Sequence, residues 1–323
     1  MELQTNTNTE KSWEHFWRGS DAAIAYARDG RSHPQLDEAW LLFFQGVAPV
    51  QASPLRVLDL AAGSGVMIGY FVQAIGQASV QVHCLDTSAS AIASIEQRYP
   101  GVTGHIGDAR DTGLPSGAFD IVTSQFGIEY AGEQAFVEAM RLVKPGGTIG
   151  LVMHCKGGQI EREGRQSFEA VKRVLKSGLM EHATKAFASG FAYQASGQGL
   201  SRYHQASDGL KKSMETVAKV MVDFGPAIAN HTVARLLDDI RAMAKQLRGY
   251  DRAETLQWLS GMTAELKSYL GRMDALCRAA LGEDDVEQIR NQLLERHFVL
   301  IRADQIAAAG VPIAWCLQAR KAL

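Results

Sequence analysis

The stretch Val57-Leu58-Asp59-Leu60-Ala61-Ala62-Gly63-Ser64-Gly65 is the part of the chain best equipped for chemistry. An apolar run ends at Leu60, small residues turn the chain, and a helical pattern starts at Val66. Backbone N–H groups are thus left free to meet a ligand where no side chain intrudes. Asp59 adds a carboxylate at the mouth of the turn, and the combination suits the ammonium and carboxylate of an amino acid. Two more acids close apolar runs: Asp86 in Cys84-Leu85-Asp86-Thr87-Ser88, and Asp108 in Gly107-Asp108-Ala109-Arg110-Asp111. At the end of a strand, Asp86 can accept hydrogen bonds from both hydroxyls of a ribose, and Asp108 can accept one from the exocyclic amine of adenine. Three carboxylates at one edge of a sheet make a binding groove. The dinucleotide fingerprint G-x-G-x-x-G competes for the same corner. It needs a third glycine for helix packing, but Ile68 stands there and Gly69 comes one residue late, which argues against a nicotinamide enzyme.

The elements that must position these residues are legible as alternation. Apolar runs at 56–60, 80–86, 102–107, 119–124 and 148–154 read as strands, and 66–75, 89–99 and 133–143 read as helices between them. Lys144-Pro145-Gly146-Gly147 stops the last helix. This is the pattern of a parallel sheet with crossover helices. After His154 helical periodicity takes over, with stripes through Phe168, Val171, Leu175 and Leu179, through Val233, Leu236, Leu237, Ile240, Met243 and Leu247, and through Leu259, Met262, Leu266, Met273 and Leu276. Residues 189–199 hold three glycines and read as a mobile loop. A helix at 284–296, strands at 297–306 and 313–321, and a turn at Ala309-Gly310-Val311-Pro312 finish the chain. Two strands joined so closely must be antiparallel.

This constellation resembles the class I S-adenosylmethionine-dependent methyltransferases over residues 55–154 and again in the C-terminal hairpin. The family's first motif commonly reads D-x-G-x-G-x-G, and here Ala61 takes the place of the first glycine while Gly63 and Gly65 are kept. Phe119-Asp120-Ile121-Val122 and Leu142-Val143-Lys144-Pro145-Gly146-Gly147 match its fourth strand and the turn before its fifth. The resemblance implies an α/β fold with a doubly wound, mostly parallel, seven-stranded Rossmann-like sheet, an antiparallel C-terminal strand and a helical cap insertion. It implies an N-terminal helical lid at 1–50, a cofactor domain at 51–156 and 284–323, and an acceptor-binding cap at 157–283. It also implies S-adenosyl-L-methionine as cofactor, with Asp59, Ala61, Gly63 and Gly65 lining the methionine part, Asp86 with Thr87 and Ser88 the ribose, and Asp108 with Ala109 the adenine. Gln125 and Phe126 would flank the sulfonium.

The sulfonium activates the methyl group, so the protein needs mainly to hold an acceptor in line behind it and exclude water. Where the acceptor is a weak acid, a base helps. Many relatives carry histidine just after the fourth strand; here Glu129 and Tyr130 stand there, so the candidate bases are Glu129 and His154, the latter equally a structural residue. Trp13, Phe16, Trp17, Tyr26 and Trp40 pack a core or close a lid over the cofactor, with Trp17 a candidate cofactor contact.

Charge bounds the partners. The formal net charge is −2, which gives no reason to expect nucleic acid or an acidic membrane. Residues 55–154 carry five Lys/Arg against nine Asp/Glu, whereas 155–212 carry ten against five. Arg162, Arg165, Lys172, Arg173 and Arg202 are thus either solvated helix faces or the sign of an acceptor bearing carboxylate or phosphate. The third stripe serves a homodimer or the insertion's own core. No C-x-x-C pair, metal-ligand cluster, signal segment or apolar run of about 18 residues occurs, and the expected location is the cytoplasm. The reading is a methyltransferase on a small-molecule O, N or C acceptor. Its rivals are RNA or protein as acceptor, disfavoured by Gln125-Phe126-Gly127-Ile128 where an Asn-Pro-Pro-Tyr-like motif would stand, and an inactive cofactor-binding partner protein.

Overall fold

The computed structural model describes residues 2–19, 33–47, 55–75 and 80–323. Tyr26 lies outside them. The first helices are α1 (Glu2–Gly19) and α2 (Pro34–Val47). Strands and helices then alternate: β1 (Leu55–Leu60), α3 (Val66–Ile75), β2 (Val80–Asp86), α4 (Ala89–Arg98), β3 (Thr103–Ile106), β4 (Phe119–Gln125), α5 (Ile128–Ala131), α6 (Glu133–Leu142) and β5 (Val143–His154). A helical stretch follows, α7 (Gln159–Lys176), α8 (Leu179–Ser196), α9 (Leu200–Phe224), α10 (Thr232–Lys245) and α11 (Arg252–Ala279). The chain returns to the sheet through α12 (Glu283–Glu295), β6 (Phe298–Ala308) and β7 (Val311–Lys321).

The seven strands form one sheet in the order β3-β2-β1-β4-β5-β7-β6. The pairs from β3 through β5 are parallel, and β7 runs antiparallel to both β5 and β6. Chain order therefore reverses between β1 and β4, and a crevice opens at the carboxyl ends of those two strands.

The sheet is covered on both faces, so its central strands are buried along consecutive residues, 57–60 of β1 and 121–124 of β4, polar side chains such as Asp59, Thr123 and Ser124 included. Alternate residues of β5 and β7, Ile149, Leu151 and Met153 with Trp315, Leu317 and Ala319, share one core with Phe136 and Met140 of α6 and with Val286, Ile289 and Leu293 of α12. On the other face Gly150 leaves room for the Phe43 ring of α2; a Cβ there would stand 2.8 Å from it. Phe44 of α2 meets Phe71 of α3 at 4.6 Å between ring centres.

Three local expectations are corrected. The C-terminal turn is only Ala309-Gly310, both at positive φ (48° and 77°), as a two-residue hairpin requires. Pro312 is a β7 residue that lies beyond the β5 ladder, which begins at Ala314, so its missing N–H costs no bond on that side. Residues 189–196 continue α8 instead of forming a loop. Gly190 is there for packing: a Cβ would stand 2.5 Å from Leu247 and 2.8 Å from Tyr203.

Residue contacts divide the chain into Met1–Arg162 with Ala275–Leu323, and Glu163–Asp274. The second unit has its own core, including Val171, Phe187, Val217, Leu236, Ile240, Leu259 and Leu266. Leu259 and Leu266 of the third apolar stripe are each 1% exposed within it, so that stripe supplies no outward dimer face there. Among the described residues no helix is long and apolar enough to cross a membrane.

Candidate functional site

A cavity opens where β1, β2 and β4 end, with about 1070 Å³ of empty space up to its open mouth, room enough for a nucleoside-sized ligand. Its wall includes Asp59, Ala61, Gly63, Asp86, Thr87, Asp108, Ala109, Gln125, Phe126 and Trp17. Ten sequence-nominated residues, far apart in the chain, thus share one cleft.

The corner after β1 is built from left-handed backbone. Ala61, Gly63 and Gly65 have φ of 52°, 51° and 74°. Glycine adopts this freely, while for Ala61 it costs roughly 1–2 kcal/mol. Ala61 is held there by the turn after β4: a Cβ on Gly127 would stand 2.6 Å from Ala61 Cβ and 2.8 Å from its carbonyl oxygen. Gly127, which also lines the cavity, was not nominated by the sequence, because only contact between two distant turns makes it necessary. Gly65 lies outside the cavity wall, a correction to its expected place. Its missing side chain admits Ile95 of α4, which a Cβ would meet at 3.0 Å.

Asp59 is 1% exposed. Its Oδ1 accepts from Thr123 Oγ1 at 3.0 Å, while Oδ2 has no hydrogen-bond partner among the described residues. Burial pushes its carboxyl well above the usual range, and the nearby negative charge of Asp86 pushes the same way. Asp86 is also raised by burial; its Oδ2 accepts from Gly63 N and its Oδ1 from Ser88 N, both at 2.9 Å. Ser88 is corrected from ribose contact to helix cap: its Oγ accepts from Ala91 N at 3.0 Å and donates to Glu14 at 2.6 Å, outside the cavity wall. Asp108 is held below the usual carboxylate range by Arg110, whose Nε donates to both carboxylate oxygens at 3.0 and 2.9 Å. Arg110 is therefore a cavity residue paired to Asp108.

Aromatic rings close the cleft. Trp17 lies over the corner, 2.8 Å from where a Gly63 Cβ would be. Trp13 stacks on Trp17 at 6.0 Å and meets Tyr130 edge-on at 5.8 Å; Trp13 and Tyr130 were not assigned to the cofactor, since nothing local marks them. Gln125 accepts from Trp40 Nε1 at 2.5 Å, and Phe126 takes φ 52° to face its ring on His154 at 4.4 Å.

The two candidate bases are together but elsewhere. Glu129 Oε1 accepts from His154 N at 2.9 Å and lies 2.7 Å from His154 Nδ1, with both side chains 0% exposed. Neither is in the cavity wall, from which Phe126, Tyr130 and the backbone at Gly127 separate them. The structure thus corrects their expected position from the cleft to the buried layer behind it.

Residues 57–147, which span this corner and its strands, match the family described as a methyltransferase domain. That stretch, well under half of the chain, is similar to a methyltransferase domain. The malonyl-[acyl-carrier protein] O-methyltransferase of Methylococcus capsulatus is 27% identical over 145 residues, 43% of this chain and 50% of that protein. The chain thus spans half the length of that curated relative. Among solved structures, a SAM-dependent methyltransferase from Aquifex aeolicus is 18% identical over 37% of this chain and 64% of its own, with a TM-score of 0.32. The sugar N-methyltransferase KedS8 from Streptoalloteichus is 21% identical over 37% and 48%, at 0.31. A Rhodobacter sphaeroides structure described among zinc-dependent alcohol dehydrogenases is 14% identical over 98% of both chains, at 0.48. Among the described residues, no group of three or more His, Cys, Asp or Glu is placed to hold a metal ion.

Proposed function

We propose that this chain is a methyltransferase that uses S-adenosylmethionine to methylate a small-molecule acceptor by in-line transfer. One observation carries the reading: Asp59, buried in the cavity wall, has a carboxyl oxygen with no partner among the described residues. A buried carboxylate calls for a cation, and the ammonium of the methionine moiety supplies one; the N–H groups of Ala62, Gly63 and Gly65, expected to be free, are instead bonded to Leu85 O, Asp86 Oδ2 and Ala62 O. Asp86 would hold the ribose through Oδ2, which accepts from Gly63 N and keeps a second lone pair for a ligand; Ala109 would border the adenine beside Asp108, whose two oxygens are each engaged by Arg110. When bound, S-adenosylmethionine supplies a methyl group already activated by positively charged sulfur. The chain's own work is then to bind, orient and dry, with Trp17, Phe126 and Tyr130 shedding water from the cleft.

The acceptor class follows from where the bases are not. With Glu129 and His154 behind the wall, an acceptor that needs no proton removed is favoured, and a carboxylate is one. The relative named as a malonyl-[acyl-carrier protein] O-methyltransferase supports this choice, as does the excess of ten Lys/Arg over five Asp/Glu in residues 155–212. We assign acceptor choice to the helical insertion on that charge balance. Of its basic residues, Lys172 pairs with Glu169 at 3.4 Å and Arg173 with Asp223 at 3.2 Å, whereas Arg162 and Arg202 are exposed. Calorimetry with S-adenosylmethionine tests the cofactor site, and a folded protein that shows no heat of binding overturns the proposal. Labelled-methyl transfer to a panel of carboxylic acids and acyl thioesters tests the acceptor. On the acceptor found, R162S/R202S should raise KM at least about fivefold, the scale of one exposed charge contact; an unchanged KM removes the anionic reading.

A further inference from the structure

We propose that Glu14 is a positioning residue that latches α1 to the first turn of α4 and thereby holds Trp17 over the cofactor corner. The inference rests on the cofactor site proposed above and assigns its closure to one carboxylate.

The latch is specific. Glu14 Oε2 accepts from Ser88 Oγ at 2.6 Å, and Oε1 accepts from Ser90 Oγ at 2.6 Å. Ser90 N adds a longer bond of 3.4 Å to Oε2. These donors belong to the N-cap and opening turn of a ten-residue helix, where unpaired N–H groups favour negative charge. Two short hydroxyl bonds and a backbone donor therefore offset the repulsion between Glu14 and the nearby Asp86 carboxylate. A carboxylate placed against a like charge is tolerated only where several donors converge on it.

The latch also reaches the ligand side. Asp86 accepts from Gly63 N and from Ser88 N, and Ser88 Oγ donates to Glu14. The carboxylate assigned to the ribose is thus joined through one serine to the residue that fastens α1. Glu14 and Trp17 are three residues apart, neighbours on one side of the helix, and the Trp17 ring touches the Gly63 position. Releasing Glu14 frees the helix that carries both Trp13 and Trp17. Another contact of that helix is the edge of Trp13 against Tyr130, at 5.8 Å.

The test is the dissociation rate of S-adenosylhomocysteine from the full chain, followed by tryptophan fluorescence in a stopped-flow instrument. Glu14→Ala should release it about tenfold faster, the scale of a lost charge-assisted hydrogen bond. Glu14→Gln should fall between, because its amide nitrogen cannot accept the second serine hydroxyl. Ser90→Ala, which removes one donor in a position where alanine favours helix, should give about threefold and guards against a misfolded Glu14 variant. Arg18→Gln, which removes only the exposed partner of Glu14 at 3.3 Å, should stay within twofold. Wild-type release rates in both Glu14→Ala and Ser90→Ala overturn the latch. Failure of the unaltered protein to bind the compound overturns the cofactor site instead.

Discussion

Asp59→Asn is the sharpest perturbation of the site. Asparagine has the same shape, and its Oδ1 can still accept from Thr123 Oγ1, so the fold keeps its 3.0 Å bond. What changes is charge. In the unliganded protein Asp59 is held well above the ordinary carboxyl value by burial. A group whose pKa is higher in the folded state contributes stability that is full below the unfolded value, near 3.8, and is lost as pH rises through the folded value. Asparagine has no such loss, so the variant without ligand should gain on the wild type as pH rises through the folded value of Asp59. With ligand the sign reverses. Removing one partner of a buried ion pair costs roughly 3–5 kcal/mol, which is about two to more than three orders of magnitude in Kd. The assays are thermal unfolding of the free protein across pH and calorimetric titration with S-adenosylmethionine at pH 8. A folded Asp59→Asn that binds within threefold of wild type would refute the assignment of the ammonium to this carboxyl. An unliganded variant less stable than wild type at every pH would refute the account of its burial.

Two further substitutions probe the wall and the layer behind it. Gly127→Ala puts a methyl group 2.6 Å from Ala61 Cβ, where backbone must yield; about 1–3 kcal/mol of stability should be lost and cofactor affinity with it, and retention of both in unfolding and binding curves would show that the two turns are not pressed together. Glu129→Ala should lower stability by roughly 1–3 kcal/mol, because it leaves the buried backbone N–H of His154 without its acceptor, while the shape of the kcat pH profile stays the same. A kcat drop beyond a hundredfold at unchanged melting temperature would instead make Glu129 a proton acceptor in the reaction.

The cofactor corner was legible because its information is local. A strand that ends in Asp59, a small-residue turn and a helix start are consecutive, and each acid of the groove marks the end of its own strand, so alternation of apolar runs sufficed to align them at one edge. The parallel sense of the first five strands followed from the same alternation, and the short connection before β7 made the last two strands antiparallel, whereas the order of the strands is a finding of the structure. What depended on tertiary structure involves partners distant in the chain. Gly127 is required by Ala61, and Gly190 by Leu247 and Tyr203, so glycines that read as ordinary or as loop formers are close-packing sites. Ser88 reads as a ribose contact until Glu14 and Ala91 occupy its hydroxyl. Glu129 and His154 have the residue types of a base, yet both are 0% exposed and bonded to each other. Residue type and spacing along a strand determine which groups can reach an edge of the sheet; whether a group there meets ligand, neighbour or nothing depends on which other elements fold against it, and that is decided by packing.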